Sequence, residues 1–390
     1  MESLLYQYNP WWERGYFFTH LKARNKYLNK LEEHLLTKHI VILTGLRRVG
    51  KTSLMKLTIA RLISSGFTAN RILYISLDDY LLSKRSILEI VDEFRRIHKI
   101  RVEEKIFLFF DEVAYKKDFQ IQLKNIYDLQ NAKIFVASSS ASFLMDNRAY
   151  LTGRTKTLEI QPLDLSEFLA FRGVELLKRD TKLLKSYFHD YIRIGGMPEN
   201  VLNPSREYLM NLVDDIIQKD ITAFYGLKNH QIIRDYFTLL MERSGKQLSI
   251  NKIGRLLHIS VDTSKRYLNY FQATNLIHLL ARWGTTNQRI LSPKKVYASD
   301  IGIKYLFMGK RDLGSYFENY IYLQLYTKKR LFYLYENGVE IDFYSSDKML
   351  IESKYYSELT WRQEQLFLTY PAKKRVLLNA VEKLQILEGI

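Results

Sequence analysis

The chain has 390 residues, 47% of them hydrophobic and 26% charged, with 59 Lys and Arg against 42 Asp and Glu, a formal net charge of +17. This is too apolar for a disordered chain. The absence of Cys excludes a disulfide framework, a zinc–thiolate site and a cysteine nucleophile. No apolar run approaches the roughly 18 residues of a membrane helix, and the Met-Glu-Ser-Leu start lacks the basic-then-apolar order of a secretion signal. A cytoplasmic protein of two or three domains is expected.

Near the start, Asn9-Pro10-Trp11-Trp12 reads as a segment docked on a sheet or on a partner. Short β-type runs then alternate with helical segments: His39–Thr44, Arg71–Leu77, Lys105–Phe110, Ala132–Ser138 and Thr157–Ile160. They are apolar without alternation, as strands covered on both faces are, so a parallel α/β sheet is expected. Between the first run and a helical stretch lies Gly45-Leu46-Arg47-Arg48-Val49-Gly50-Lys51-Thr52, which matches G-x-x-x-x-G-K-[ST] with strand and helix both in place. The glycines turn backbone N–H groups inward around phosphates, and the helix N-terminus adds its dipole. The expected ATP-binding residues are Gly45, Arg48, Val49, Gly50, Lys51, Thr52 and Ser53. Lys51 would reach the β- and γ-phosphates and Thr52 would ligate Mg2+.

Phe107-Leu108-Phe109-Phe110-Asp111-Glu112 is an apolar strand ending in two carboxylates, at the end of a parallel strand where ligands are met. Asp111 would hold Mg2+ through water, and Glu112 would polarise the attacking water. The next strand ends at Ser138-Ser139-Ser140, where Ser138 has the position to orient that water. Arg148 or Arg154 would stabilise the transferring phosphate, from its own chain or from a neighbour.

From about Ser166 to Tyr225 the chain reads as helical, broken at Gly195-Gly196-Met197-Pro198. Charge is then concentrated: Gly226–Thr285 carries 9 basic and 3 acidic residues, net +6 in 60 residues, against net +7 over Met1–Tyr225 and +4 over Thr286–Ile390. A local excess points to an anionic partner better than a global one. Within it, Ser249–Leu257 reads as a capped helix, Asp262–Phe271 as a second helix, and Ile277–Trp283 as the opening of a β-wing with its tip at Gln288–Lys295. That is the order of a winged helix-turn-helix, whose second helix enters the major groove. Thr263, Ser264, Lys265 and Arg266 would be exposed on that helix, and Arg289, Lys294 and Lys295 on the wing. Lys265, Arg266, Lys294 and Lys295 are the expected contacts to double-stranded DNA; a protein contact is the alternative for such a fold.

After Thr285 β-type runs return at Val296–Ala298, Leu331–Tyr335, Glu340–Tyr344, Met349–Ser353 and Arg375–Asn379. Asp342 and Glu352 have nine residues between them, enough for two strands and a tight turn, and Glu352 and Lys354 project from one strand face. With Glu318 on an upstream helix, this set resembles the PD-(D/E)xK nuclease core, in which carboxylates bind Mg2+ and the Lys acts on the attacking water. Cleavage, nucleic-acid binding without cleavage, and a solvated hairpin all remain open. The eight His show no metal-ligand spacing, and most aromatics recur at core spacing.

The combination of Gly45–Thr52, Phe109–Glu112, Ala137–Ser140, Leu151-Thr152-Gly153-Arg154, Gln161-Pro162-Leu163 with Glu167-Phe168, and Gly195-Gly196-Met197-Pro198-Glu199 resembles the prokaryotic, largely archaeal, ATPases of the AAA+/STAND-like group. Ala137 stands where that family usually has Gly. The resemblance implies an added strand between the phosphate-loop and carboxylate strands, Glu112 as water activator, and Pro198 near the adenine. The fold class expected is α/β: a P-loop NTPase core at 1–165, a helical lid at 166–225, a winged helix-turn-helix at 226–285 and a restriction-endonuclease-like α/β domain at 286–390. ATP and Mg2+ are the expected cofactors, with no membrane partner, and the oligomeric state is open. The expected activity is ATP hydrolysis coupled to DNA; the rival is a slow nucleotide-gated switch controlling a DNA or protein partner.

Overall fold

Each expected apolar run of the first half becomes a parallel strand in the computed structural model, which describes residues 1–15, 18–138 and 148–389. The strands are β1 (Ile40–Thr44), β2 (Ile72–Ser76), β3 (Ile106–Asp111), β4 (Ala132–Ala137) and β5 (Thr155–Glu159), in the sheet order β2-β3-β4-β1-β5. Strand β4 is thus the added strand between the phosphate-loop and carboxylate strands. Helix Ile87–His98 buries Ile87, Ile90, Val91 and Phe94, one stripe at helical spacing, and a Ser86–Glu89 capping box satisfies its first turn.

The Asn-Pro-Trp-Trp segment covers the sheet edge. The fully buried Asn9 amide donates to the Tyr74 carbonyl at 2.9 Å and accepts from the Tyr74 N–H at 2.6 Å, doing for β2 what a neighbouring strand would. The indoles of Trp11 and Trp12 both donate to the Ile72 carbonyl, at 3.3 and 2.8 Å. An edge strand otherwise presents open pairing groups.

The chain divides into two compact units, Met1–Ile160 and Gln161–Ile390. The four expected segments therefore fall into two units, and the helical-lid segment lies in the second. There, Leu165–Phe171 and Thr181–Ile194 share one apolar core with Tyr316–Leu325 and with strand residues Phe343, Ile351 and Leu378. Gly195, Gly196 and Gly302 interlock at close approach: a Cβ on Gly195 would lie 2.3 Å from Asp300 Oδ1, and one on Gly302 2.5 Å from the Ile194 carbonyl oxygen. The Gly196 N–H donates to Asp300 Oδ2 at 2.7 Å.

The C-terminal sheet contains β8 (Leu331–Glu336), β9 (Val339–Ser345), β10 (Met349–Ser353) and β11 (Lys374–Leu378), in the order β11-β10-β9-β8. β8, β9 and β10 form an antiparallel meander, and β11 returns parallel to β10 after helix Trp361–Thr369. A separate antiparallel pair joins β6 (Ile277–Leu280) to β7 (Lys295–Ala298). Among the described residues no helix is long and apolar enough to cross a membrane.

Candidate active site

The carboxyl ends of β1, β4 and β3 are adjacent, and each delivers one piece of the site. After β1 the loop turns at Gly45 (φ +134°), Arg48 (φ +62°) and Gly50 (φ +102°) into helix Lys51–Ser64. Gly45 has no substitute: a Cβ there would sit 2.2 Å from the Ile160 carbonyl oxygen. Lys51 is buried at the helix start, and its ammonium donates to the carbonyls of Gly45 and Leu46 at 2.9 and 3.0 Å, closing the loop on itself. Thr52 is exposed, and its hydroxyl donates to Asp111 Oδ2 at 2.5 Å.

Asp111 ends β3, is buried, and collects further donors: the Tyr74 hydroxyl at 3.1 Å on Oδ2 and the Glu112 N–H at 3.0 Å on Oδ1. Burial, followed by the charge of Asp111, pushes the Tyr74 phenol far above its ordinary range, so it stays a donor. Glu112 is held at φ +48°, the left-handed region that a non-glycine residue adopts at a cost of about 1–3 kcal/mol and that is concentrated at functional sites. Ser138 follows β4 between the other two strands, buried, with its N–H on the Leu43 carbonyl at 3.2 Å.

Two participants escaped the sequence reading. Arg24 is buried beneath the loop, donating to the Val49 carbonyl at 3.2 Å, with its guanidinium 4.6 Å from the Tyr27 ring centre. Tyr74 is the other. Each is one polar group in an otherwise structural segment, and only tertiary contact gives it a role.

The residues fit a nucleotide with Mg2+. The hydroxyl of Thr52 and the carboxylate of Asp111, the donor pair expected to hold the ion, are already in contact beside a loop with glycine-dependent backbone and a helix N-terminus. Arg154 does not join them from its own chain. It precedes β5, and Ile40, at the opposite end of β1 from the loop, donates to its carbonyl. The length of β1, about 17 Å at roughly 3.3 Å per residue, separates the two ends. Its guanidinium instead pairs with Asp128 at 3.1 Å and lies 5.7 Å from the Tyr127 ring centre. Ser139 and Ser140 lie outside the described residues, as does the side chain of Arg148. Pro198 opens helix Pro198–Leu202 in the second unit.

Residues 37–169 match the family model described as AAA domain. Residues 185–313 match a model described as domain of unknown function (DUF8612). The chain is 28% identical over 385 residues to an uncharacterized protein of Methanocaldococcus jannaschii, covering 93% of this chain and 85% of that one. It is 23% identical over 318 residues to an uncharacterized protein of Haemophilus influenzae, covering 78% of each. Among solved structures, the Walker-type ATPase PABY2304 of Pyrococcus abyssi aligns with a TM-score of 0.48 at 14% identity, over 75% of this chain and 97% of that one. The Orc1 protein of Aeropyrum pernix, solved in complex with DNA, aligns at 0.35 and 14% identity, over 74% of this chain and 93% of that one.

The expected DNA-contacting elements are built only in part. Helix Ile250–Leu256, capped by Ser249, is followed by helix Val261–Ala273, capped by Ser260, as the sequence implied. Lys265 and Arg266 are exposed on the second helix, Lys265 within 3.8 Å of Asp262. Ser264 is a correction: it is fully buried and meets the Tyr236 hydroxyl. The wing tip is another. Between β6 and β7 lies helix Thr286–Leu291, closed by a Thr285–Gln288 capping box, where a loop was expected. Lys294 is exposed, but Lys295 is buried and turned into a cluster of carboxylates, which removes it from any DNA surface.

That cluster shares Glu318 and Asp342 with the nuclease-like set. Glu318, Asp342, Glu352 and Lys354 do converge: the Asp342 N–H donates to Glu352 Oε2 at 2.9 Å, and the Lys354 ammonium lies 3.1 Å from Glu352 Oε1. Both Glu318 and Asp342 touch Lys295, at 2.6 and 3.4 Å. Sequence spacing found Glu318, Asp342 and Glu352 and missed Glu340 and the lysine that meets Glu318, Glu340 and Asp342.

Proposed function

We propose that the chain is a Mg2+-dependent ATPase whose turnover is coupled to DNA held by the helix-turn-helix segment. The observation that carries the reading is the Thr52–Asp111 contact at 2.5 Å beside the glycine-turned loop of the AAA domain. ATP would lay its phosphates in the loop, where N–H groups and the helix N-terminus favour anions. Lys51 would exchange its loop carbonyls for the β- and γ-phosphates. Thr52 and Asp111 would hold Mg2+, which supplies charge neutralisation on the phosphates when bound. Glu112 takes the proton of the attacking water, and Ser138, between the loop and Glu112, orients that water. Pro198 near the adenine and Arg154 acting on a neighbouring copy are further parts of the proposal.

The DNA half rests on the local excess of basic residues and on exposed Lys265, Arg266 and Lys294. The decisive comparison for the ATPase is Glu112→Gln against the unaltered chain, with nucleotide binding and phosphate release measured together. Retained ATP binding with turnover reduced about 10²–10⁴-fold supports the base assignment. Full turnover in the variant overturns it, and tight retained nucleotide without turnover in the unaltered chain makes the protein a switch.

A further inference from the structure

Three carboxylates at the nuclease-like centre, those of Glu318, Glu340 and Asp342, are gathered around an ammonium supplied by this chain. Lys295 lies on β7 with its side chain 1% exposed. Its Nζ is 2.6 Å from Glu318 Oε1, 2.8 Å from Glu340 Oε1 and 3.4 Å from Asp342 Oδ1. These oxygens come from a helix and from β9, and they converge on one point. A divalent ion in such a centre needs that point, with oxygens at about 2.0–2.6 Å.

Glu318 Oε1 has a second donor, and the second oxygens of Glu340 and Asp342 and both oxygens of Glu352 are also committed. Glu318 Oε1 accepts from the Tyr297 hydroxyl at 2.7 Å. Asp342 Oδ2 accepts from the Ser353 N–H at 3.0 Å and the Ser353 hydroxyl at 2.6 Å. Glu352 Oε2 accepts from the Asp342 N–H, and Oε1 meets Lys354 at 3.1 Å and the Gln363 amide at 3.3 Å. Glu340 Oε2 accepts from the Gln247 amide at 2.8 Å. Among the described residues, no group of three or more His, Asp or Glu is arranged to hold a metal ion.

The lysine is also fixed in place. Its backbone pairs with Leu280 in the β6–β7 ladder and bridges to Gln247, the residue that reaches Glu340. Swinging the ammonium out would strand buried carboxylates without a partner, which costs several kcal/mol. Burial alone would lower the Lys295 pKa, but Glu318, Tyr297, Asp342 and Glu340 outweigh it and keep it charged. A second cation at the same point would meet like-charge repulsion in a medium that screens poorly.

We infer that Lys295 stands in the place of the divalent ion, so that the C-terminal centre is closed to metal and does not cleave nucleic acid by a metal-dependent route. The residues present do not fit the ion that the nuclease resemblance implies. The centre instead ties the β6–β7 pair and the Gln247 segment to the C-terminal sheet through charge. The inference is independent of the ATPase reading, which concerns the other unit.

The test is a Mn2+ titration of the full chain without nucleotide, read by loss of the free-ion paramagnetic signal, in a Thr52→Ala background that removes the phosphate-loop ligand. With Lys295 present, no equivalent of Mn2+ should bind well below millimolar free ion, and Asp342→Asn should change nothing. Lys295→Ala should gain one equivalent, which adding Asp342→Asn removes. One equivalent bound with Lys295 present and lost in Asp342→Asn overturns the inference, and this arm stands even if Lys295→Ala fails to fold. A folded Lys295→Ala chain that binds no Mn2+ overturns it equally.

Discussion

The protein holds two sites made of the same residue types, and they are wired in opposite ways. Each places carboxylates on strands with lysine within reach. In the first unit, Lys51 donates to backbone carbonyls of its own loop, and Asp111 collects hydroxyl and N–H donors. In the C-terminal unit, Lys295 is spent on Glu318, Glu340 and Asp342. A hydroxyl yields to an incoming ion at small cost, whereas a buried ammonium must be extracted against several kcal/mol. The destination of the lysine, rather than the list of acids, is what separates the proposed Mg2+ site from the centre proposed to be closed to metal.

The largest expected effect breaks the comparison at the phosphate loop. Glu112→Gln should reduce ATP turnover about 10²–10⁴-fold in a phosphate-release assay with binding retained, whereas Glu352→Gln should leave turnover unchanged in the same assay. On the C-terminal side, Lys295→Met should cost roughly 3–5 kcal/mol in denaturant unfolding, because it leaves buried carboxylates without their cation. A loss within a few tenths of a kcal/mol would mean that the cluster is not held by charge.

A buried carboxylate whose named donors are backbone N–H groups sharpens the contrast. Burial pushes the Asp300 carboxyl up to about 6, against the pull of the Gly196, Ile303 and Gly302 N–H groups. The folded state therefore binds this proton more tightly than the unfolded chain, and stability falls as pH rises from about 4 to about 6. In Asp300→Asn that slope should flatten when unfolding is followed across the window; an unchanged slope contradicts the assignment. The smallest effect concerns DNA. Lys265→Ala and Arg266→Ala should each lower the slope of log affinity against log salt by about 1, with little sequence dependence.

Much of this architecture is legible in the sequence, and the reasons differ by element. Strands β1 to β4 are covered on both faces, so their apolar runs stand out to within a residue or two. The edge strand β5 carries half-exposed positions, and its start shifts from the expected Thr157 to Thr155. The phosphate loop is legible because its glycine spacing is set by backbone geometry, visible in the lack of room for a Cβ at Gly45. Register is not legible: only the parallel pairing of β5 with β1 shows that Arg154 begins at the far end of the sheet. Nor is the direction of a single side chain. Lys294 and Lys295 are neighbours of one type, yet Lys294, just before β7, is exposed, and Lys295, the first residue of β7, turns into the acids. The wing was misread because Thr285 and Gln288 form a capping box, a helix signal at the start of a segment expected to be the tip of a β-wing.

The most direct test of the central claim is ATP binding and turnover by the full chain with Mg2+, comparing it with Lys51→Ala. The account predicts measurable hydrolysis that falls at least about 10²-fold in the variant. Undiminished hydrolysis in Lys51→Ala would contradict it.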